Sequence, residues 1–170
     1  AMVNGGVLYP PRLTRTQMPV GTRVISERTS AMLRDMMRDV VTVGTGKKAN
    51  VSGYGVIGKT GSANKPARGG YDDDALITSF LGAFPYSDPR YALLVVIDEP
   101  QGIAETHNLT LAGWNAAPTA AEIVRRAAPL LGVRPAPQRL VPAREKLAAG
   151  TASPTLALNA ELKAEVPHAP

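Results

Sequence analysis

A lysine set between a glycine and two hydroxyl residues is the stretch of this sequence best suited to chemistry. It reads Gly58-Lys59-Thr60-Gly61-Ser62. An ammonium group and two hydroxyl donors can hold an anion, and a glycine without a Cβ lets a ligand approach the main chain. These residue types predict an anion-binding site. Whether it binds a nucleotide or another anion depends on the secondary structure around it.

One interpretation is a nucleotide-binding P-loop. Residues 53–60 satisfy the pattern G-x-x-x-x-G-K-[ST], which cradles phosphates when a helix starts at the lysine. Gly61 and Pro66 follow directly and disfavour such a helix. The P-loop therefore stays as the alternative.

The other interpretation places the lysine on an edge strand. Side chains alternate along a strand, so Lys59 and Gly61 face one way while Thr60 and Ser62 face the other. An edge strand also offers unpaired backbone N–H and C=O groups to an extended peptide.

An amphipathic helix is predicted from Ser26 to about Val43, with Ser26 as its N-cap. Apolar residues recur there at intervals of three and four, which predicts one stripe facing the core. The members of the stripe are Met32, Leu33, Met36, Met37, Val40 and Val41.

Two strands are predicted at residues 77–84 and 91–98, joined by a short connection and therefore antiparallel. The second is continuously apolar, which predicts a central strand covered on both faces. Residues 64–74 are rich in Gly, Pro and Asp and predict a loop. Its three aspartates are expected to be solvated; a metal site is the weaker alternative.

A second helix is predicted from Pro118 to Leu131, ended by Gly132 and kinked or shortened by Pro129. We expect its apolar face to consist of Ile123, Val124, Ala127, Leu130 and Leu131. These elements predict an α/β fold with a largely antiparallel sheet flanked by helices. The predicted domain covers residues 1–132. Residues 133–170 form a Pro- and Ala-rich tail, expected to be flexible, with a helical turn near 144–149.

Composition narrows the function classes. The chain of 170 residues carries a net charge of +5 that is spread along the sequence, which does not indicate nucleic-acid binding. With no cysteine there is no disulfide, thiolate metal site or cysteine nucleophile. His107 is expected to be an exposed loop residue, and Trp114 is expected to pack the hairpin against the last helix.

An ordered series of segments points to a family. These are residues 4–6, 10–11, 21–26, 39–41, 58–63, 71, 79–85, 95–100 and 116–118. The series resembles the C-terminal half of the transpeptidase domain of class B, division-type penicillin-binding proteins, in which K-T-G is a signature. The resemblance covers about residues 1–135.

The resemblance implies a site in which the D-Ala-D-Ala end of a peptidoglycan stem peptide acylates a serine. β-Lactams would acylate the same serine. Lys59 would supply positive potential, and Thr60 and Ser62 would hydrogen-bond the substrate carboxylate. The Ser62 N–H would be one oxyanion-hole donor, and Gly61 would let the acyl chain lie close. No cofactor or metal is implied.

The family's Ser-x-x-Lys nucleophile box has no credible match in this sequence. Ser62-Ala63-Asn64-Lys65 fits the letters, but Pro66 disfavours the helix that the nucleophile opens. Residues 1–6 resemble the end of a helix, so we expect the chain to begin inside a domain. The expected partners are the upstream half of the same domain, which carries the serine, the stem peptide or a β-lactam, and divisome proteins. The chain alone is expected to be inactive, and its parent to be anchored on the periplasmic side of the inner membrane.

Overall fold

The computed structural model describes residues 1–14 and 19–136, except for the side chains of residues 73 and 74. Its elements are β1 Val7–Leu8, β2 Thr22–Arg23, α1 Glu27–Thr42, β3 Ile57–Ala67, β4 Gly70–Phe84, β5 Tyr91–Asp98 and α2 Ala116–Leu130, with 3₁₀ turns at Lys47–Ala49 and Ala104–Thr106. Strands β1 and β2 form an antiparallel pair, and β3, β4 and β5 form an antiparallel sheet in that order. The predicted α/β architecture is confirmed. Most of the predicted tail, including the turn near 144–149, lies outside the described residues.

Helix α1 begins where the sequence predicts. The Ser26 hydroxyl accepts the Thr29 N–H at 3.0 Å, as an N-cap does. Val41 is fully buried, whereas Met32 and Met36 are about half exposed. The prediction of one buried stripe was therefore wrong for these two methionines. Periodicity shows which residues share a helix face, but it does not show how far the neighbouring elements extend over that face.

The predicted loop at residues 64–74 is instead part of a long hairpin. Strands β3 and β4 pair from Ile57 opposite Ala83 to Ala67 opposite Gly70, with an irregularity between Asn64 and Lys65. A bulge absorbs local irregularity, and an edge strand tolerates a residue such as Pro66 that has no N–H. Cross-strand pairing thus outweighs the poor strand propensity of Gly, Pro and Asp here.

Lys65 connects the irregular part of β3 to the end of β5. Its ammonium lies 2.6 Å from a carboxylate oxygen of Glu99 and 3.1 Å from one of Asp98. Hydrogen bonds to Glu99 and then to Asp98 raise the pKa of Lys65. Since β4 lies between the two strands, these ion pairs reach across the sheet.

Strands β4 and β5 form the predicted antiparallel hairpin, with Phe80 opposite Val95. Strand β5 lies at the edge of the described sheet rather than at its centre. Leu94 is 63% exposed and Val96 is 55% exposed, so one face of β5 is open in the part of the chain that the structure describes. The prediction of a strand covered on both faces was wrong there.

Helix α2 covers the other face of the sheet. It starts at Ala116, two residues before the predicted position, because the Asn115 side chain caps it by accepting the Ala116 N–H. Its buried residues are small: Ala116, Ala117, Ala120, Ala121, Val124 and Ala128. The predicted face was wrong at Ile123, Leu130 and Leu131, which are exposed, because the helix turns its alanines and Val124 to the sheet instead.

Phe80 is the largest fully buried side chain among the described residues. A Cβ at Gly58 would lie 2.4 Å from its ring, and one at Gly82 would lie 2.6 Å from it. Both glycines therefore make room for the ring on adjacent strands. Val133 also packs into this core, and the Ala136 N–H donates to the Gly53 carbonyl.

No helix in the described ranges has the length and apolar character needed to cross a bilayer.

Candidate functional site

Residues Lys59 to Ser62 lie in the middle of the extended strand β3. Each is paired with a residue of β4: Lys59 with Leu81, Thr60 with Phe80, Gly61 with Ser79 and Ser62 with Thr78. A P-loop requires a helix that begins at the lysine. The P-loop alternative was therefore wrong, because the strand continues to Ala67.

One edge of β3 pairs with β4, and the other edge pairs with no strand in the described part of the chain. The Lys59 ammonium donates to the Thr60 carbonyl at 2.7 Å. In an antiparallel strand, alternate residues direct their backbone N–H and C=O groups to the same edge. The backbone groups of Thr60 and Ser62 therefore lie on one edge of β3. We infer that this is the unpaired edge, because the Thr60 carbonyl oxygen accepts a hydrogen bond from the Lys59 ammonium there.

The side chains of Thr60 and Ser62 meet in one pocket of about 240 Å³. The pocket is also lined by Thr45, which follows α1, and by residues 111–114 of the loop that precedes α2. Lys59 is exposed and does not line it. The strand thus divides the predicted site residues between the two faces of the sheet.

Both hydroxyls in the pocket have a partner from another element. The Thr60 hydroxyl oxygen lies 2.7 Å from that of Thr45, and either could be the donor. The Ser62 hydroxyl oxygen accepts the Ala112 N–H at 3.0 Å. Each of the two hydroxyl groups in the pocket is therefore hydrogen-bonded to a surrounding loop.

The loop before α2 is fixed to the sheet by Asn115. Its side-chain oxygen accepts the buried Thr78 hydroxyl at 2.7 Å, and its side-chain nitrogen donates to the Thr110 carbonyl at 2.7 Å. Thr78 is the cross-strand partner of Ser62. Two adjacent residues of the sheet thus anchor the same loop, one through Asn115 and one through Ala112.

Trp114 lines the pocket at the end of this loop, and His107 lies against its ring. The Lys48 ammonium sits 4.2 Å from the centroid of the Trp114 ring, and the His107 ring meets that ring edge-on at 5.5 Å. His107 is exposed, as the sequence predicts. In the described ranges no three His, Asp or Glu side chains come close enough together to hold a metal ion.

Sequence reasoning missed Thr45, Ala112 and Asn115. Thr45 stands between two glycines directly after α1, a pattern that is typical of a helix end and does not indicate a site. Asn115 directly precedes a helix, and its capping preference was a usable signal. Ala112 contributes only its backbone N–H, for which residue type gives no signal.

Comparison with known proteins gives a consistent family. Residues 1–125 match the penicillin binding protein transpeptidase domain. A probable peptidoglycan D,D-transpeptidase FtsI of Caulobacter vibrioides is 39% identical over 146 residues, which are 79% of this chain and 25% of that protein.

Two solved structures agree with the sequence match. The transpeptidase domain of Burkholderia pseudomallei penicillin-binding protein 3 has a TM-score of 0.67 at 34% identity, over 79% of this chain and 40% of that one. Penicillin-binding protein 3 of Mycobacterium tuberculosis, complexed with ampicillin, has a TM-score of 0.68 at 30% identity, over 83% of this chain and 35% of that one. The chain thus spans about a quarter of the Caulobacter protein and less than half of each solved chain.

Proposed function

The chain belongs to the penicillin-binding protein transpeptidase family, and on that premise we propose that it forms the K-T-G wall of a peptidoglycan D,D-transpeptidase site. The observation that carries the proposal is the convergence of the Thr60 and Ser62 hydroxyls in one pocket beside the free edge of β3. Hydroxyl donors beside an unpaired strand edge suit an extended peptide that ends in a carboxylate.

The proposed reaction exchanges one peptide bond for another through an acyl-serine. A serine supplied by sequence outside these 170 residues attacks the carbonyl of the penultimate D-Ala of a stem peptide. The serine oxygen–carbon bond forms, the peptide C–N bond breaks, and the terminal D-Ala leaves with a proton on its amine. An amine of a neighbouring stem then attacks the ester, the serine oxygen–carbon bond breaks, and the cross-link forms while one proton of that amine passes to the serine oxygen.

Each residue of the wall has a distinct role in this proposal. Thr60 and Ser62 donate hydrogen bonds to the terminal carboxylate of the substrate. The Ser62 N–H stabilises the oxyanion that develops on the attacked carbonyl, and Gly61 lets the acyl chain approach β3. The exposed Lys59 ammonium supplies positive potential from the opposite face of the strand, attracting the carboxylate and favouring deprotonation of the nucleophile.

The same wall would bind a β-lactam, whose ring carbonyl and carboxylate occupy the positions of the scissile bond and the terminal carboxylate. We extend the proposal to the cellular setting. We propose that the parent protein is anchored on the periplasmic side of the inner membrane, where its substrate lies, and that divisome proteins are its partners, as the division-type resemblance implies.

Covalent labelling by a fluorescent penicillin tests this proposal. We expect label when the chain is produced together with an upstream transpeptidase segment that carries Ser-x-x-Lys, and no label on the 170-residue chain alone. Lys59→Ala should lower the labelling rate about a hundredfold or more, in the range seen when one stabilising group is removed from a catalytic site.

Lys47→Ala is the matched control, because Lys47 is an exposed lysine on the neighbouring 3₁₀ turn and its removal changes the net charge equally. Its labelling rate should equal that of the unchanged protein. Covalent label on the isolated chain, or equal loss of rate in both lysine variants, would contradict the proposed roles.

A further inference from the structure

The two hydroxyls in the pocket have to act as donors if they are to bind a carboxylate. A hydroxyl has one proton to donate and two lone pairs that accept, whereas an ionised carboxylate only accepts. Whether Thr60 and Ser62 suit a carboxylate therefore depends on where their protons point. The hydrogen-bond partners of the two hydroxyls within the protein determine those proton directions.

The Ser62 hydroxyl is already arranged as a donor. Its oxygen accepts the Ala112 N–H at 3.0 Å, and a backbone N–H cannot accept in return. This contact occupies one lone pair of the hydroxyl and leaves its proton available to a ligand in the pocket.

The Thr60 hydroxyl has two possible arrangements, because the contact at 2.7 Å joins it to another hydroxyl. If Thr60 donates to Thr45, no proton is left for a carboxylate. If Thr45 donates to Thr60, the Thr60 proton is free, and its donor strength is increased by the bond it accepts. An anion in the pocket favours the second arrangement.

We propose that Thr45 is a positioning residue that orients the Thr60 hydroxyl as a donor, as the Ala112 N–H orients Ser62, and so makes the pocket selective for an anionic terminal group. The inference rests on the proposed function, because the carboxylate belongs to the stem peptide or β-lactam. Thr45 acts through Thr60 and need not touch the ligand.

A close contact keeps the two orienting loops together. A Cβ placed on Gly113 would lie 2.7 Å from the Thr45 carbonyl oxygen, so the loop carrying Ala112 runs directly against the loop carrying Thr45. Any side chain at residue 113 would separate them. The donor arrangement therefore depends on both loops.

The test compares a penicillin with its methyl ester, in which the charged carboxylate is replaced by a neutral ester, on the chain produced with the upstream transpeptidase segment. Thr45→Val removes the hydroxyl and keeps the shape. We expect it to slow acylation by the carboxylate form about tenfold, because the Thr60 hydroxyl loses the bond that orients it and that strengthens its donation to the charged group. Acylation by the ester should stay within about twofold, because a neutral ester lacks the charge that strengthens the bond.

Thr45→Ser keeps the hydroxyl and should restore the ratio of the two rates. Thr42→Val is the control, because the Thr42 hydroxyl bonds to backbone oxygens of its own helix and to no other described residue. A Thr45→Val protein with an unchanged ratio, or with both rates lowered equally, would overturn the role of Thr45 while leaving the proposed function standing. An unchanged protein that no penicillin acylates would overturn both.

Discussion

The two faces of the β3-β4-β5 sheet differ in how completely this chain covers them. On one face Phe80 and Val95 are buried under α2, and Thr60 and Ser62 line a pocket that two loops also line. On the other face Leu81, opposite Lys59 on β3, is half exposed, and Leu94 beside it is 63% exposed.

The difference shows which contacts hold the hydroxyl side and the lysine side of the site in place. The hydroxyl side is held by contacts within the described residues, including the bond between Asn115 and Thr78. On the lysine side helix α1 contributes Met37 to a cavity that Leu81 and Ala83 also line, but most of the sheet face stays open. We therefore expect changes on the covered face to affect both stability and acylation.

The largest effect on stability should come from Phe80→Ala. Removing a fully buried aromatic side chain should cost about 3–5 kcal/mol, because a cavity opens between the sheet and α2. Denaturant unfolding measures the cost. Leu94→Ala on the open face is the contrast and should cost much less, since its side chain is already largely in water. Equal losses in the two variants would remove the distinction between the faces.

Thr78→Val should have a smaller effect on stability and a clear effect on the pocket. Its hydroxyl is buried and donates to Asn115, so its loss should cost about 1–2 kcal/mol. Because Asn115 anchors the loop that orients Ser62, acylation by penicillin should also slow. Thr42→Val, at an exposed position, serves as the control in both measurements. A stability loss with unchanged acylation would show that the loop holds its position without this bond.

The sequence predicted the elements whose signals are local. The Ser26 cap and the short connection between β4 and β5 predicted α1 and the hairpin, and both are confirmed. The extension of that hairpin through Pro66 was not predicted, because it depends on pairing with β4, which outweighs local propensity.

Only those site residues that lie on strand β3 were predicted from the sequence. Lys59, Thr60, Gly61 and Ser62 were identified from one motif, and the structure shows the predicted alternation that separates Lys59 from the hydroxyls. Thr45 is 15 residues from its partner Thr60, and Ala112 is 50 residues from Ser62. Contacts over such distances in sequence follow from the fold and leave no local pattern.

The most direct test of the proposed wall is a crystal structure of the transpeptidase domain that contains these residues, acylated by a penicillin. We predict the penicillin carboxylate within about 2.6–3.2 Å of the Thr60 and Ser62 hydroxyl oxygens, and the acyl oxygen at a similar distance from the Ser62 nitrogen. A carboxylate bound elsewhere, with both hydroxyls still turned into the protein, would contradict it.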